Sequence, residues 1–470
     1  MDSLFNAKFN WFFYLGLIFV IRVVWVDLSW LSFFALCITI HQFLLLFYSI
    51  GYVIPIRYLL GSFMCLQMLL GPTFAYNGLD QYQYVNYKMK VPEAEYFAYA
   101  IPAVICFIAG LHITAGKLKG EELNRNAIAA FVDSSGDLPY WFIGIGFAAS
   151  IISNYFSTEL GFVFTLLACF KFIGAFMLLL SSKQLKTAIL VAVFASIVIS
   201  TLGRAMFHDL LTWMIMIGAV LAIKYKPNMA LKTGVSIGFI LLAVVIQQMK
   251  GEYRKVAWGS GQGGIDAFEE VYNQKRSENG IFSFESLAAS NVRINQGFII
   301  TNILNNVPDR VPFANGEELL QILEAAFLPR ILAPDKLNAG DRTIFMKYSG
   351  IPLRRGTSMG LSSMGDAYIN FGVIGGAVFM FFLGFGFSYV LNGFYKYSKS
   401  YPILLLFTTM VFYYPMRPDC ELQTSLGHLV KSCFLIFVML QLWKYDFKRT
   451  QRRPGFAALN QTKHAVTEEA

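Results

Sequence analysis

Long apolar runs alternate with short polar connections along most of the chain, and their lengths predict the secondary structure. A helix that crosses a membrane needs about 20 mostly apolar residues. Twelve segments approach that requirement: 9–26, 29–49, 56–76, 96–115, 139–156, 160–181, 186–203, 207–224, 231–249, 368–394, 401–416 and 424–444. The first lacks a small-residue cleavage site, so we expect it to remain a helix. The pattern predicts an all-α polytopic membrane protein with about twelve transmembrane helices.

One connection breaks this pattern, because residues 250–367 form a long polar segment between the ninth and tenth predicted helices. It carries 13 basic and 13 acidic residues. A balanced but dense charge fits a folded cap better than a flexible linker. Loops this long inside a compact protein are usually functional. The predicted organisation is therefore helices 1–9 in 1–249, a large loop at 250–367, helices 10–12 in 368–444, and a basic tail at 445–470.

The composition agrees with a membrane protein. Of the 470 residues, 56% are hydrophobic and 14% are charged, and the mean hydropathy is +0.53. Soluble domains carry about a quarter charged residues, so this chain lacks the polar surface of a soluble globule. Its 45 phenylalanines exclude an intrinsically disordered chain.

The net charge of +9, from 38 basic and 29 acidic residues, is distributed unevenly between the connections. Twelve helices place both termini on one side of the membrane. That side receives most basic residues of the short connections and the tail: Lys8, Arg57, Lys117, Lys119, Arg125, Lys183, Lys186, Lys224, Lys226, Lys232, Lys396, Lys399, Lys444, Lys448, Arg449, Arg452 and Arg453. By the positive-inside rule, both termini are predicted to be cytoplasmic and the large loop extracytoplasmic. Anionic lipid accounts for the basic tail, so no nucleic-acid partner is predicted.

Two helices are predicted inside the large loop. Asn315 and Gly316, followed by Glu317 and Glu318, have the form of a helix start with a capping-box glutamate. The apolar face that follows runs to Phe327 with a spacing of three to four residues. A second helical stretch covers about 284–306. The two helices would pack on each other or lie at the membrane surface, and the pattern does not distinguish these arrangements.

The loop closes on RRGTSMGLSSMGDAYINFGVIGG, which is rich in Gly and Ser and leads into the tenth predicted helix. Glycine lets backbone approach a ligand closely, and free N–H groups at a helix start favour an anion. A flexible connection followed by a small-residue packing face through Gly372, Gly375 and Gly376 explains the same run.

Several chemistries are missing from the sequence. We find no Walker-type phosphate loop, no H-E-x-x-H, no Asp-x-Asp and no cysteine–histidine cluster. The six cysteines have no C-x-x-C spacing and are expected to be small buried apolar residues. No metal and no cofactor are therefore predicted.

Arginines on the predicted outer side are the most informative polar residues. Arg204 ends the seventh predicted helix with His208 one turn further on, Arg293 and Arg330 lie in the large loop, and Arg417 lies between the last two helices. Arginine stays charged and its planar fork matches phosphate oxygens. The set therefore predicts a site for a lipid-linked phosphate or pyrophosphate. Contact with lipid headgroups or pairing with nearby acids explains any one of them equally well.

Tyrosines also concentrate on the predicted outer side, at Tyr76, Tyr82, Tyr84 and Tyr87. Tyrosine is common at both membrane surfaces, and that explanation is favoured. Sugar stacking is the alternative.

The run from about 311 to 376 resembles bacterial O-antigen and capsule repeat-unit polymerases (Wzy-like proteins). The resembling residues are PFANGEELLQILEAAFLPRILAPDK and then SSMGDAYINFGVIGG. Detailed resemblance covers about a seventh of the chain, and the remainder is similar only in its architecture. Some members carry Arg, ten residues and then Gly in two outer loops. Here Arg204 is followed by Ile215 at that offset and Arg330 by Asp341, so this pattern is missing.

The resemblance implies an architecture similar to the GT-C class and a location in the bacterial inner membrane. It implies polymerisation of undecaprenyl-pyrophosphate-linked oligosaccharide units into a surface polysaccharide, without a metal, with a chain-length regulator and a flippase as possible partners. By resemblance alone, the site includes these residues: Arg330, Lys336, Gly365, Asp366, Tyr368, Asn370 and Gly372. Arg204, Arg293 and Arg417 are assigned by position and chemistry. Asp366 and His208 are the candidates for the acceptor-side base.

Two other functions remain open at the level of the sequence. A ligase that moves glycan from the same carrier to another acceptor would have the same architecture. A flippase or transporter often has twelve spans but rarely a charged external loop this long. Other lipid-phosphate-sugar transferases place an acid in the first outer loop, where Asp27 lies, but Asp27 is expected to cap the second helix.

Overall fold

A computed structural model describes residues 9–115, 121–156, 158–182, 187–259, 264–278, 283–328, 332–333, 335–337, 340–354, 357, 359–443 and 447. The helices are α1 Trp11–Val24, α2 Trp30–Ser49, α3 Ile56–Tyr76, α4 Glu93–Ile113, α5 Arg125–Ser134, α6 Leu138–Ile152, α7 Thr158–Ala168, α8 Phe170–Leu180, α9 Thr187–Arg204, α10 Phe207–Tyr225, α11 Met229–Gly259, α12 Ile265–Glu278, α13 Phe284–Ile294, α14 Gly297–Asn306, α15 Glu317–Phe327, α16 Arg342–Ser349, α17 Ser362–Ser398, α18 Leu404–Val411 and α19 Leu422–Leu442.

The all-helical prediction is confirmed. The described chain is 78% helix and contains no strand. Nine helical stretches of the described chain are long and apolar enough to cross a membrane, if α7 and α8 are taken together as Gly161–Leu180, while α1 and α6 are apolar but shorter. Each of the twelve predicted segments contains helix, so the protein has the helices of a multi-pass membrane protein. The count of twelve spans and the direction in which they cross remain predictions.

The first turn of α2 differs from expectation. Ser29, rather than Asp27, is the N-cap, and its hydroxyl accepts the Ser32 amide at 3.1 Å. Ser29 and Ser32 also donate to the Glu93 carboxylate at the start of α4. The acid that organises this end of the bundle is therefore Glu93.

Helices α4 and α17 form the centre of the bundle, and glycines bring their backbones together. A Cβ added to Gly384 would lie 2.2 Å from the Phe107 carbonyl oxygen, and one added to Gly110 would lie 2.1 Å from the Phe381 carbonyl oxygen. Small residues permit this approach between apolar helices, where van der Waals contact drives association. The two glycines therefore define where α4 and α17 cross.

We expect Gly384→Ala to destabilise the protein, because its methyl group would meet backbone rather than a side chain that can move. Overpacking of this kind costs about 1–3 kcal/mol. Gly386→Ala, two residues along α17, is the matched control, since nothing lies within 4 Å of its added Cβ. Thermal unfolding of both variants in detergent tests the comparison. Equal midpoints would show that α4 and α17 do not meet at this glycine.

A buried charged network joins α4 and α17 at the end of the bundle opposite Glu93. Arg57 is 1% exposed and donates to Glu121 at 2.9 Å and to Asn392 at 3.0 Å. It also donates to Ser388 and to the Leu111 carbonyl. A buried guanidinium is tolerated only when it is paired and hydrogen-bonded. The network therefore holds α3, α4 and α17 in one arrangement.

The large loop is a helical cap that packs into the bundle. Helix α11 continues ten residues beyond its predicted end, to Gly259, and the predicted helix over 284–306 is two helices, α13 and α14, separated at Asn295 and Gln296. Four apolar side chains of α14 are at most 3% exposed: Phe298, Ile299, Ile300 and Ile303. Hydrophobic burial therefore places α14 inside the main core rather than at the membrane surface.

Helix α15 lies where predicted, but its cap is different. Asn315 and Gly316 have positive φ angles of 49° and 94°, and the N-cap residue is Gly316, which has no side chain to cap the helix. Instead the Asn370 side chain, from α17, accepts the Leu319 amide at 3.2 Å. A residue 51 positions along the chain thus satisfies one of the free N–H groups of the first turn.

Candidate functional site

A cavity of about 560 Å³ lies between the large loop and one end of the bundle. This is the end that the charge pattern assigns to the extracytoplasmic side. The lining residues are Tyr87, Lys250, Arg254, Val292, Gln296, Phe298, Ile299, Gly340, Thr357, Met359, Gly360, Arg417, Asp419, Cys420, Glu421 and Thr424. A volume of this size is typical of a small-molecule site. The cavity is therefore the candidate functional site.

Two residues that line the cavity, Gln296 and Asp419, contact a π-helical turn in α3. The turn covers Leu66–Leu70, and the Gln67 carbonyl accepts the Gln296 amide at 3.1 Å. The Gln67 side chain approaches the Asp419 carboxylate at 3.5 Å. Single π turns inside α-helices occur frequently at functional sites. Through Gln67, this turn connects α3 to the large loop at Gln296 and to the connection between α18 and α19 at Asp419.

Arg417 and Asp419 form an ion pair on the short connection between α18 and α19. The Arg417 Nη2 atom lies 3.1 Å from Asp419 Oδ2, and their side chains are 17% and 26% exposed. Burial alone would raise the pKa of Asp419, but Arg417 and the nearby His208 hold this pKa at about 2. Both partners are therefore charged at neutral pH.

Hydrogen-bonding groups at and beside the Arg417–Asp419 ion pair remain available to a ligand. Among the described residues, the buried Nε of Arg417 and the Oε1 of Gln67 have no hydrogen-bond partner. The Arg417 guanidinium also lies 5.3 Å from the centre of the Tyr414 ring. Asp419 and the Tyr414 ring thus fix the orientation of the Arg417 guanidinium, while its Nε–H group remains available to donate a hydrogen bond to a ligand.

Two further cations reach the cavity from the extension of α11. Lys250 and Arg254 are four residues apart and therefore lie on one helical face. Arg254 Nε donates to the Ala205 carbonyl between α9 and α10 at 3.1 Å, which fixes that side chain. The sequence interpretation missed both residues because it ended the ninth helix at 249. The i, i+4 spacing of two basic residues directly after a span was the available signal.

Glu421 is the most suitable proton acceptor in the cavity, and the sequence interpretation missed it. Its Oε1 atom accepts the Gly340 amide at 2.5 Å and the Thr424 hydroxyl at 2.7 Å. These bonds engage one carboxylate oxygen, so Oε2 is the atom that would take a proton. Burial raises the pKa of Glu421 above the usual carboxyl value, although these two hydrogen bonds oppose the shift. A raised pKa makes a carboxylate a better base near neutral pH.

The two bases proposed from the sequence lie beside the cavity without lining it. Asp366 is 4% exposed, and its Oδ2 accepts the Leu422 amide at 2.8 Å. It therefore stabilises the start of α19 immediately after Glu421. His208 lies 3.2 Å from the Thr212 hydroxyl and close enough to Arg417, Asp419 and Lys250 to interact with their charges.

The predicted basic residues are placed differently from one another. Arg417 lines the cavity, whereas Arg204 is exposed at the end of α9, next to the carbonyl that Arg254 binds. Lys336 donates to the Leu328 carbonyl at 2.6 Å and does not line the cavity. Arg330 and the side chain of Arg293 lie outside the described residues. Their roles remain predictions.

The predicted residues at the start of α17 are engaged in packing. Tyr368 donates to the Val307 carbonyl at 3.2 Å, Asn370 caps α15, and a Cβ at Gly365 would lie 2.8 Å from Ile303. Gly372 has a φ of 66°, which kinks α17. These interactions hold Gly360 and Met359, which precede the helix, against the cavity. The substrate contacts proposed for this group remain predictions.

The cavity as a whole combines three cations with one carboxylate suited to accept a proton. No group of three or more His, Cys, Asp or Glu side chains that could hold a metal ion occurs in the described part of the chain. The arrangement can bind an anion through Lys250, Arg254 and Arg417 and remove a proton through Glu421. It can therefore assist the departure of a phosphate-type group while activating a hydroxyl.

Fold and cavity together define a polytopic helical membrane protein with a charged site beneath a helical cap. Within this class, the chain belongs to the family described as a domain of unknown function (DUF8712), which matches residues 53–413. The match includes the π turn, the α11 extension and the whole of the large loop, and it ends just before Arg417. No curated protein and no solved structure matches the chain.

Proposed function

We propose that the protein polymerises undecaprenyl-pyrophosphate-linked oligosaccharide repeat units in this cavity, at the outer face of the bacterial inner membrane. One observation carries the proposal: Lys250, Arg254 and Arg417 converge on a cavity whose wall also contains Glu421. The resemblance of residues 311–376 to repeat-unit polymerases supports the same function, and Asp366 in that run accepts the Leu422 amide next to Glu421.

The reaction transfers a glycan chain from its lipid carrier to a new repeat unit. A hydroxyl oxygen of the incoming unit attacks the anomeric carbon of the chain, and the bond from that carbon to the pyrophosphate oxygen breaks. The pyrophosphate leaves with the bonding electron pair, and Glu421 takes the hydroxyl proton. The cations at Lys250, Arg254 and Arg417 stabilise the charge that grows on the leaving group.

The centre of the bundle favours this function over transport. The α4 and α17 backbones are in close contact at Gly110 and Gly384, so these two central helices leave no space between them at that point. A transporter usually carries discontinuous helices at the midplane, around which its halves move. A fixed site at one end suits group transfer between two lipid-linked substrates.

The decisive experiment gives purified full-length protein in lipid nanodiscs defined lipid-linked repeat units, with and without a chelator. We expect a ladder of polymer lengths in both samples. A deletion strain separates the alternatives. Single repeat units on the final acceptor indicate a missing polymerase, polymer retained on the carrier indicates a missing ligase, and substrate trapped on the cytoplasmic face indicates a missing flippase. Either of the last two results would overturn the proposal.

A further inference from the structure

Four aromatic rings are exposed beside the cavity. Tyr82, Tyr84 and Tyr87 belong to the connection between α3 and α4, and Phe284 belongs to α13 in the large loop. Their exposed fractions are 42%, 82%, 36% and 63%. We refer to these four rings as the aromatic row. A group of large exposed rings shared between the α3–α4 connection and the large loop calls for a specific explanation.

The aromatic row is held rigidly. The Tyr82 and Phe284 rings stack with centroids 5.9 Å apart and planes within 12°. The Gln83 side chain donates to the Ala288 carbonyl of α13, and the Lys90 amide donates to the Thr301 hydroxyl of α14 at 3.1 Å. Because the connection is already fixed to the cap, a ligand that stacks on these rings loses little binding energy to ordering them.

The row is continuous with the cavity. Tyr87 is itself a lining residue and packs edge-on against Phe298 at 5.4 Å. Tyr84 lies near enough to Lys255, on the α11 extension, to interact with its charge. The same extension carries Lys250 and Arg254. The rings therefore lead outward from the cavity past the cations assigned to the pyrophosphate.

The chemistry between the rings suits carbohydrate. Exposed amide side chains at Gln81 and Asn86 alternate with the tyrosines along the connection. A sugar ring has apolar C–H faces, which stack on aromatic rings, and hydroxyl edges, which amides bind in both hydrogen-bonding directions. A position at the membrane surface would explain single tyrosines, whereas the stacked Tyr82 and Phe284 rings join the α3–α4 connection to α13 of the large loop.

We propose that the aromatic row binds the glycan strand as it leaves or enters the cavity, and that this interaction sets how many units are added before release. The choice of occupant rests on the proposed function. A strand held by stacking stays at the site between additions, whereas a strand held only by its pyrophosphate dissociates more often. The row is therefore a binding site that controls the length of the product.

The first test compares polymer made in a deletion strain by wild type, by the Tyr82→Ala/Phe284→Ala double variant and by Tyr82→Phe. We expect the double variant to shorten the most abundant chain length at least about twofold while repeat units continue to be consumed. Tyr82→Phe keeps the ring and should give wild-type lengths. Wild-type lengths from the double variant, or complete loss of polymer at normal protein level, would overturn the proposal.

Tyr155→Ala is the matched control, because Tyr155 is 81% exposed on the connection between α6 and α7 and is distant in sequence from the row. It should leave chain length unchanged. Equal shortening by Tyr155→Ala would show that exposed tyrosines act through the membrane surface, and the glycan site would be rejected.

A binding measurement separates failure of this proposal from failure of the proposed function. Polysaccharide cleaved from the surface of the source strain is mixed with full-length Arg417→Ala protein in nanodiscs, and saturation-transfer NMR detects its binding to the protein. We expect Tyr82→Ala/Phe284→Ala in that background to weaken binding roughly tenfold. If the protein that lacks both rings binds the polysaccharide as well as before, the proposal that the aromatic row binds glycan is wrong. Weakened binding supports the row even if wild type makes no polymer, in which case the polymerase proposal alone fails.

Discussion

Replacing Glu421 with Gln should slow polymer formation by about 10²- to 10⁴-fold, the usual contribution of a positioned general base. The amide keeps the size of the side chain, and its oxygen can still accept from Gly340 and Thr424. It cannot take the proton of the attacking hydroxyl. The initial rate with purified lipid-linked repeat units is the measurement.

The acidic side of the pH profile tests the same residue. Burial raises the pKa of Glu421 above 4.5, and the reaction needs the carboxylate. The wild-type rate should therefore fall as the pH drops through this raised pKa. Glu421→Gln keeps the size of the side chain and its accepted hydrogen bonds, so the variant should remain folded, which thermal unfolding checks. A normal rate in the folded variant would exclude Glu421 as the base.

Arg417→Ala should reduce polymer formation by about 10²- to 10³-fold, the effect of removing one donor to a charge that develops in the transition state. Arg417→Lys should recover only part of the loss, because an ammonium keeps the charge without the planar fork. Arg310→Ala is the control, since Arg310 is an exposed arginine of the large loop that does not line the cavity. The readout is polymer on a gel at matched protein levels.

A wider comparison tests the four arginines that the sequence assigned to the leaving group. Alanine variants of Arg204, Arg293, Arg330 and Arg417 complete the set predicted from the sequence. Full-length polymer from all four single variants would contradict stabilisation of the leaving group by these arginines.

The helices could be predicted because a membrane span is a local property of about 20 residues. The same reasoning located Arg417, since a charge between two apolar segments stands out in the sequence. It did not find Glu421, because an acid at the start of a helix has an ordinary structural explanation. The role proposed for it depends on the hydrogen bond from Gly340 and on burial by the surrounding cap, which lie far away in the chain.

Other features depend on tertiary interactions that no local pattern encodes. The π turn at Leu66–Leu70 is visible only in the backbone, and the partner of Gln67 is 352 residues away at Asp419. Asn370 resembles a ligand-binding residue within its motif, yet its side chain caps α15. A motif indicates that such residues matter, but the tertiary structure determines how.

The crossing of α4 and α17 has a consequence for how the protein is made. Phe107 and Gly384 are 384 − 107 = 277 residues apart. At about 5–20 residues per second, translation needs roughly 14–55 s to produce the partner of a helix that is already complete. During that interval α4 lacks its packing partner Gly384, and Arg57 lacks its hydrogen-bond partners Ser388 and Asn392. The early helices of the nascent chain must therefore remain in lipid, or in contact with an insertion factor, until α17 has been synthesised.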